Sequence, residues 1–262
     1  MPTTGSAAAG QVLADRVLLI TGANGGLGEA LARACATAGA QVVLLGRRVP
    51  RLARLYDELI ASGARTPAIY PLDLSGATPE DYETLAESIA REFGRLDGIA
   101  HCAAELKGLS SLRNLALEDW FTGLHVNLSA PFLLTRACLP LLRESPDACV
   151  LFTLDDAEQS TRAFWGAYGV SKQALRGLVS ILGEELAASP VRVHGIEPGP
   201  MRTALRARAY FAEEPAGIPE PASCTAGCVR LLAGDWPDAP RFVKLPARST
   251  APRALNLPTL AN

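Results

Sequence analysis

The chain has 262 residues, a formal net charge of -2 at pH 7 and 48% hydrophobic residues. This length fits one α/β domain, and the apolar content is sufficient for a large core. The nearly neutral charge argues against a surface for nucleic acid, and no apolar run approaches the roughly 18 residues that a membrane span needs. The N-terminal residues show no secretory signal pattern, so we expect a cytoplasmic protein that contacts no membrane.

The first predicted element is a strand followed by glycines and a helix, within residues 16–28. Residues 17–20 form a short apolar run, which is typical of a buried strand. Gly22, Gly26 and Gly28 allow a tight turn and let an anion approach the helix N-terminus, where free N–H groups and the helix dipole favour negative charge. The alternative is an ordinary glycine-rich turn. The pattern indicates a dinucleotide site.

Strand and helix patterns alternate along the rest of the chain. We predict further strands over 41–45, 68–72, 97–101, 149–153, 191–196 and 242–245, and further helices over 50–61, 78–93, 118–143 with a break near Gly123, 166–188 and 223–232. Most strands are continuous apolar runs, as expected when both faces of a sheet are covered. The predicted fold is α/β: a doubly wound, Rossmann-like, mostly parallel seven-stranded sheet with helices on both faces.

The domain organisation follows from the same patterns. Residues 1–11 are predicted to be a flexible tail, and residues 12–262 a single domain without a linker that would divide it. Residues 201–221, rich in Ala, Arg, Glu and Pro, are predicted to be a mobile substrate lid. The segment after Pro246 is expected to be loosely ordered.

Tyr168 and Lys172 are four residues apart at the start of a predicted helix and therefore share one face. A phenol titrates near ~10, and a neighbouring ammonium lowers that pKa, so the pair suits general acid–base chemistry. The alternative is a pair on an exposed helix surface. A position after the fifth strand favours the functional interpretation, because ligands bind at the carboxyl ends of the strands in this architecture.

Five motifs follow one another along the chain: Thr21-Gly22-x-x-x-Gly26-x-Gly28, Asp73 after the third strand, Asn127, Tyr168-x-x-x-Lys172 and Pro198-Gly199-x-x-x-Thr203. In this order they resemble the short-chain dehydrogenase/reductase family, over roughly residues 12–245. The stretches 165–168 and 198–204 are similar to its YciK-like bacterial oxidoreductase branch. The resemblance implies an NAD(P)-dependent oxidoreductase that transfers a hydride between the nicotinamide and a small carbonyl/alcohol substrate. It also implies a homodimer or homotetramer packed through helices around 127–143 and 166–188.

The resemblance implies a role for each matching residue. Tyr168 would donate or accept the proton at the substrate oxygen, Lys172 would hold the nicotinamide ribose, and Asn127 would lie in a helix kink and anchor a proton-relay water. Asp73 would contact the adenine, whereas Pro198, Gly199 and Thr203 would flank the nicotinamide. The implied cofactor-binding set is Thr21, Gly22, Asn24, Gly26, Leu27, Gly28, Asp73, Leu74, Ala103, Tyr168, Lys172, Pro198, Gly199 and Thr203.

The end of the second strand indicates which cofactor is preferred. An acidic residue there would bind the adenosine ribose diol and repel a 2′-phosphate, but this chain has Gly46 followed by Arg47 and Arg48. A guanidinium matches a phosphate with bidentate geometry. The alternative is that both arginines belong to a solvated helix start. The sequence favours NADP, with NAD the less favoured cofactor.

Two positions depart from the family pattern. The serine usual thirteen residues before the tyrosine is Asp155, and an ionised carboxylate only accepts hydrogen bonds. Asp155 could still donate if it were protonated beside Asp156. Alternatively, a loop shift could bring a hydroxyl into the role, from Thr153, Ser160 or Thr161.

The second departure follows the fourth strand, where the family's Asn-Asn-Ala-Gly is His101-Cys102-Ala103-Ala104. We interpret His101 as a packed core histidine rather than a catalytic base, and His125 and His194 likewise. Cys224 and Cys228 are four residues apart but have no histidine near them in sequence, so no metal site is predicted.

Two functions remain open. An active NADP-dependent oxidoreductase is favoured by Asn127, Tyr168 and Lys172, with Asp155 as the fourth catalytic candidate. The alternative is a catalytically impaired cofactor-binding protein, such as a sensor or scaffold. The chain after Pro198 is too short for the larger substrate domain of a sugar-nucleotide epimerase.

Overall fold

The computed structural model describes residues 11–245. The tail predicted for residues 1–11 falls outside the described residues except for its last one, and the predicted tail after Pro246 falls outside them as well.

Strands and helices alternate as the sequence pattern predicts. The strands are β1 Val17–Thr21, β2 Gln41–Gly46, β3 Ala68–Pro71, β4 Gly98–His101, β5 Ala148–Thr153, β6 Val191–Glu197 and β7 Phe242–Lys244. The helices are α1 Gly26–Thr37, α2 Val49–Ala61, α3 Pro79–Phe93, α4 Leu117–Leu124, α5 Ala130–Glu144, α6 Ala157–Ser160, α7 Gly166–Glu185, α8 Ala204–Ala209 and α9 Thr225–Ala233.

In the described part of the chain, the seven strands form one sheet in the order β3-β2-β1-β4-β5-β6-β7. Every neighbouring pair is parallel. The chain winds outward in one direction from β1 to β3 and in the other from β4 to β7. A crevice therefore opens at the carboxyl ends of β1 and β4, where this architecture binds its ligands. The predicted doubly wound fold is confirmed.

The two faces of the sheet bury two separate cores, and β1 shows why. Its successive side chains point to opposite faces, so Leu18 and Ile20 join one core while Val17 and Leu19 join the other. The first core is completed by apolar side chains of α1, α2 and α9, and the second by those of α3, α5 and α7. The sheet is thus covered on both faces, which explains its continuous apolar strands.

The structure corrects two local predictions. The predicted helix 118–143 is irregular at His125–Ser129, a π-helical turn between α4 and α5, and not at Gly123. Gly123 is a regular helix position where a Cβ atom would come 3.0 Å from the Ala167 side chain, so this glycine lets α4 and α7 pack closely. The loop predicted after β5 contains α6, whose N-terminus is capped by the Asp156 side chain. The predicted lid, 201–221, contains α8 and a short 3-10 turn at Pro215–Gly217, and its role as a lid stays a prediction.

Candidate active site

A cleft of about 610 Å³ lies at the carboxyl ends of the strands. Most residues predicted to bind cofactor or substrate line it: Gly22, Asn24, Gly26, Leu27, Arg47, Arg48, Asp73, Leu74, Ala103, Asp155, Tyr168, Lys172, Pro198, Gly199 and Thr203. Thr21, Gly28 and Asn127 are not lining residues. Each of them instead packs against or hydrogen-bonds the backbone that forms the cleft wall.

The turn between β1 and α1 fits a pyrophosphate because two glycines leave its backbone uncovered. Gly22 has a φ of +66°, and a Cβ there would lie 2.9 Å from the backbone of Ala103. A Cβ at Gly28 would lie 2.3 Å from the carbonyl oxygen of Gly22. The buried Thr21 hydroxyl accepts the backbone N–H groups of Cys102 and Ala103, both at 3.1 Å, and so ties this turn to the end of β4. The backbone of this turn is therefore open enough for a pyrophosphate to approach the N-terminus of α1, as the predicted dinucleotide site requires.

The end of the cleft beside β2 is basic. Arg47 lies 3.9 Å from the Asp73 carboxylate and 3.7 Å from that of Glu105, and its side chain is 45% exposed. Neither contact has hydrogen-bond geometry, so the guanidinium keeps donors for another anion. Arg48 and Arg51 line the same end of the cleft. Asp73 accepts from the backbone N–H and the hydroxyl of Ser75, at 3.1 and 2.9 Å.

Tyr168 and Asp155 contact each other at the other end of the cleft. The Tyr168 hydroxyl donates to Asp155 Oδ2 at 2.7 Å, and Asp155 Oδ1 accepts the Asp156 backbone N–H at 2.8 Å. The Lys172 ammonium lies 5.5 Å from the centre of the Tyr168 ring and donates to the Thr153 carbonyl at 2.7 Å. The structure therefore brings together Tyr168, Lys172 and Asp155, on α7 and the end of β5, as the sequence predicts.

The pKa of Tyr168 is shifted in the direction opposite to the sequence prediction. Burial and the neighbouring Asp155 carboxylate raise the pKa of Tyr168 well above its usual value. In the free protein, burial and the Asp155 carboxylate therefore outweigh the lowering of this pKa that is expected from Lys172. Burial lowers the pKa of Lys172 to about 8, although the Asp155 charge opposes that shift.

Two of the three hydroxyls considered as substitutes for Asp155 are engaged elsewhere. Ser160 donates to the Asp156 carbonyl and Thr161 to the Ala157 carbonyl, both within α6. The Thr153 hydroxyl is buried and has no hydrogen-bond partner among the described residues, while the Thr153 backbone carbonyl accepts from Lys172. Asp155 itself therefore occupies the position beside the tyrosine hydroxyl.

Asn127 lies in the π-helical turn, which agrees with the predicted helix kink. Its side chain accepts the Glu105 N–H at 2.7 Å and donates to the Glu105 carbonyl at 2.9 Å and to the Ser171 hydroxyl at 3.1 Å. Ser171 in turn donates to the backbone carbonyl of Tyr168. Asn127 thus connects the loop after β4 to the helix that carries the tyrosine. Its predicted role in a proton relay stays a prediction.

His101 lies in a structural position, as the sequence interpretation has it. His101 is buried, contacts the Thr135 hydroxyl at 2.8 Å and stacks on Phe152, and burial lowers its pKa to about 3. It is therefore neutral at physiological pH. Within residues 11–245, no three His, Cys, Asp or Glu side chains are arranged to hold a metal ion.

Aromatic and apolar side chains pack around Tyr168. Trp165 lies 5.6 Å from Tyr168 and 6.0 Å from Tyr210, measured between ring centres. Leu106 and Ala209 complete this small apolar cluster. Thr203, predicted to contact the nicotinamide or a phosphate, uses its hydroxyl to cap α8 by accepting the Arg206 N–H at 3.1 Å.

Several lining residues were missed by the sequence reasoning, among them Arg51, Glu105 and Arg208. Arg51 lies in the first turn of α2, three residues after the N-cap Arg48, so its spacing could have revealed it. Glu105 is buried, and its carboxylate lies 3.4 Å from Arg208 of α8 as well as 3.7 Å from Arg47. Only the fold brings these three charges together, so no local pattern could have revealed Glu105 or Arg208.

Comparison with known proteins identifies the family. A family model described as short chain dehydrogenase matches residues 16–214, so the chain belongs to the short-chain dehydrogenase/reductase family. The chain is 37% identical over 224 residues to the "uncharacterized oxidoreductase YciK" of Escherichia coli K12, covering 86% of this chain and 88% of the relative. It is a member of the YciK-like group of these oxidoreductases.

Solved structures show the same fold. A structure assigned to the short chain dehydrogenases, from Pseudomonas syringae, superposes with a TM-score of 0.87 at 41% identity, covering 93% of this chain and 99% of the other. Another from Escherichia coli CFT073, solved in complex with NADPH, gives 0.86 at 35% identity, with coverage of 91% and 98%. Over residues 11–245, no helix is long and apolar enough to cross a membrane.

Proposed function

We propose that this protein is an NADP-dependent oxidoreductase that transfers a hydride to or from a polarised carbon–heteroatom double bond of a small molecule. The sequence suggests that this bond is C=O, with a carbonyl and its alcohol as the substrate pair. The observation that carries the proposal is one cleft with a basic end at Arg47 and an acid–base pair, Tyr168 and Asp155, at its other end.

The residues present fit the cofactor. The uncovered backbone at Gly22, Gly26 and Gly28 suits the pyrophosphate, and Arg47 with Arg48 suits a 2′-phosphate. The NADPH complex of the Escherichia coli CFT073 relative supports the same choice. Asp73 and Leu74 are assigned to the adenine, and Pro198, Gly199 and Thr203 to the nicotinamide. When bound, the cofactor supplies or accepts the hydride.

The chain's own residues handle the proton. Tyr168 is buried and its hydroxyl is the group placed to contact the reacting heteroatom of the substrate. Lys172, fixed by the Thr153 carbonyl, holds the nicotinamide ribose and supplies a positive charge beside the phenol ring. Asn127 positions α7 through Ser171. Leu106, Trp165 and Ala209 shield this end of the cleft from water.

Turnover is tested by mixing the protein with NADPH and a panel of ketones, aldehydes, quinones and cyclic imines. The loss of the near-ultraviolet absorbance of the reduced nicotinamide reports the reaction, with Tyr168→Phe as the comparison variant. We expect turnover of at least one class by the wild type and a lower rate in the variant. Tight NADPH binding without turnover of any class, in wild type or in Asp155→Ser, would instead identify a cofactor-binding protein without activity.

We also propose assembly as a homodimer or homotetramer through α4, α5 and α7. These helices carry large apolar side chains that are exposed in the single chain: Phe121 is 65% exposed, Phe132 46% and Ile181 60%. Large apolar side chains exposed on several helices are what an interaction surface would cover. Light scattering on wild type and on Phe132→Glu would test it, since a monomeric wild type refutes the assembly. A cytoplasmic location stays a prediction.

A further inference from the structure

We propose that the substrate's reacting bond is C=N rather than C=O, and that the site binds a small cyclic imine in its protonated form with the N–H donating to Asp155. This inference rests on the proposed function, since it uses the same cleft and the same hydride transfer. The Asp155 carboxylate thus selects cyclic imines as the substrate class.

The first observation is that the reacting end of the cleft offers acceptors. Asp155 Oδ2 is 2.7 Å from the Tyr168 hydroxyl, and Oδ1 accepts the Asp156 N–H. Both contacts use the carboxylate as an acceptor, which is how an ionised aspartate hydrogen-bonds. The side chain is only half-buried, so one face of the carboxylate is open to a ligand in the cleft.

This charge opposes the reduction of a carbonyl. When a hydride adds to C=O, negative charge develops on oxygen, and such sites need hydrogen-bond donors there. Tyr168 would have to give up its proton and would become a phenolate 2.7 Å from the Asp155 carboxylate. Two adjacent anions in a partly buried site are strongly unfavourable.

A protonated imine reverses this electrostatic argument. Its positive charge and N–H donor pair directly with Asp155. The hydride adds to the imine carbon, the electron pair of the C=N π bond moves to nitrogen, and the product is a neutral amine. The substrate brings its own proton, so Tyr168 keeps its hydroxyl hydrogen throughout. The balance is one iminium plus one hydride from NADPH, giving one amine and NADP⁺.

The surroundings suit a flat cation. Trp165 presents an aromatic ring near Tyr168, and ring faces attract cations, whereas the Tyr210 ring already carries the Arg206 guanidinium at 4.3 Å. The lid arginines that would repel a cation are already paired, Arg206 with Glu213 and Arg208 with Glu105. The Lys172 ammonium, which also lines the cleft, is buried and directed to the Thr153 carbonyl, to which it donates at 2.7 Å.

The experiment compares two probes of the same ring size, the cyclic imine dihydroisoquinoline and the ketone tetralone, with NADPH as the cofactor. We expect the wild type to reduce the imine with a kcat/KM about 10- to 100-fold above that for the ketone, the range that a hydrogen bond to a charged group supplies. Asp155→Ser should lose that preference and gain ketone reduction. Glu158→Gln is the matched control, because Glu158 is an exposed carboxylate of α6 that does not line the cleft, and we expect it to keep the imine preference.

Each outcome decides one of the two proposals. A wild type that prefers tetralone overturns the inference and leaves the proposed function standing. If the wild type binds NADPH but reduces neither probe, the reduced forms are titrated against the complex with NADP. Tetrahydroisoquinoline binding about tenfold tighter than tetralol, with the difference lost in Asp155→Ser, then supports the inference, and equal binding overturns it. Failure of wild type and both variants to bind NADPH refutes the proposed function itself.

Discussion

Replacing Glu105 with Gln should tighten NADPH binding. In the free protein the buried Glu105 carboxylate lies 3.7 Å from Arg47, the residue assigned to the 2′-phosphate, and it competes with that phosphate for the guanidinium. The variant should still fold, because Asn127 holds the Glu105 backbone and not its side chain. NADH has no 2′-phosphate and should respond little.

The size of the effect follows from the distance and the exposure. Unit charges ~4 Å apart interact by about 4 kcal/mol at an effective dielectric constant of about 20. The Arg47 side chain is 45% exposed, however, and pairs with such exposure contribute about 1 kcal/mol or less after solvent screening. About 1 kcal/mol corresponds to a dissociation constant about fivefold lower for NADPH.

The assay is a fluorescence titration of wild type and Glu105→Gln with NADPH and separately with NADH. Glu158→Gln is the matched control, because it removes an exposed carboxylate that does not line the cleft. Equal tightening of NADPH and NADH would refute the competition for Arg47, since only NADPH has the competing phosphate. Weaker NADPH binding in Glu105→Gln would refute it as well.

Three further predictions follow from the same geometry. Arg47→Leu should weaken NADPH binding about tenfold or more by removing a charged hydrogen-bond donor, with little change for NADH; parallel titrations check this, and equal losses contradict it. Turnover should fall as the pH rises past about 8, because Lys172 is charged below its pKa and neutral above it; a pH–rate profile without that fall, or the same fall in Lys172→Arg, contradicts the assignment. Gly28→Ala should weaken both cofactors alike, because its Cβ would lie 2.3 Å from the Gly22 carbonyl oxygen; unchanged titrations would show that the turn does not hold the pyrophosphate.

Most of the fold was predictable because its signals are local. Apolar runs such as Val17–Thr21 mark strands buried on both faces, and Thr78-Pro79 marks the start of α3, where Thr78 and Asp81 form the capping box. The π-helical turn at His125–Ser129 was misplaced, since hydrogen-bond register leaves little trace in composition. The short helix α6 was missed because four residues are too few for a periodic pattern.

The residues of the site were predictable from the sequence, but the pKa shifts and the contacts between charged side chains were not. The order of the motifs identified Tyr168, Lys172 and Asn127, and the spacing to the tyrosine identified Asp155. The pKa of Tyr168 depends on burial and on a 2.7 Å contact between residues thirteen positions apart, which spacing alone does not establish. The contacts of Glu105 with Arg47 and Arg208 join β2, the loop after β4 and α8, so only the assembled sheet brings them together.

The central claim is that this cleft binds NADP through its glycine-rich turn and Arg47. The most direct test is a fluorescence titration of the purified wild-type protein with NADPH and, separately, with NADH, which needs no knowledge of the substrate. We predict saturable NADPH binding that is at least about tenfold tighter than NADH binding, because only NADPH offers a phosphate to Arg47. Binding of neither cofactor, or equal binding of both, would contradict the assignment.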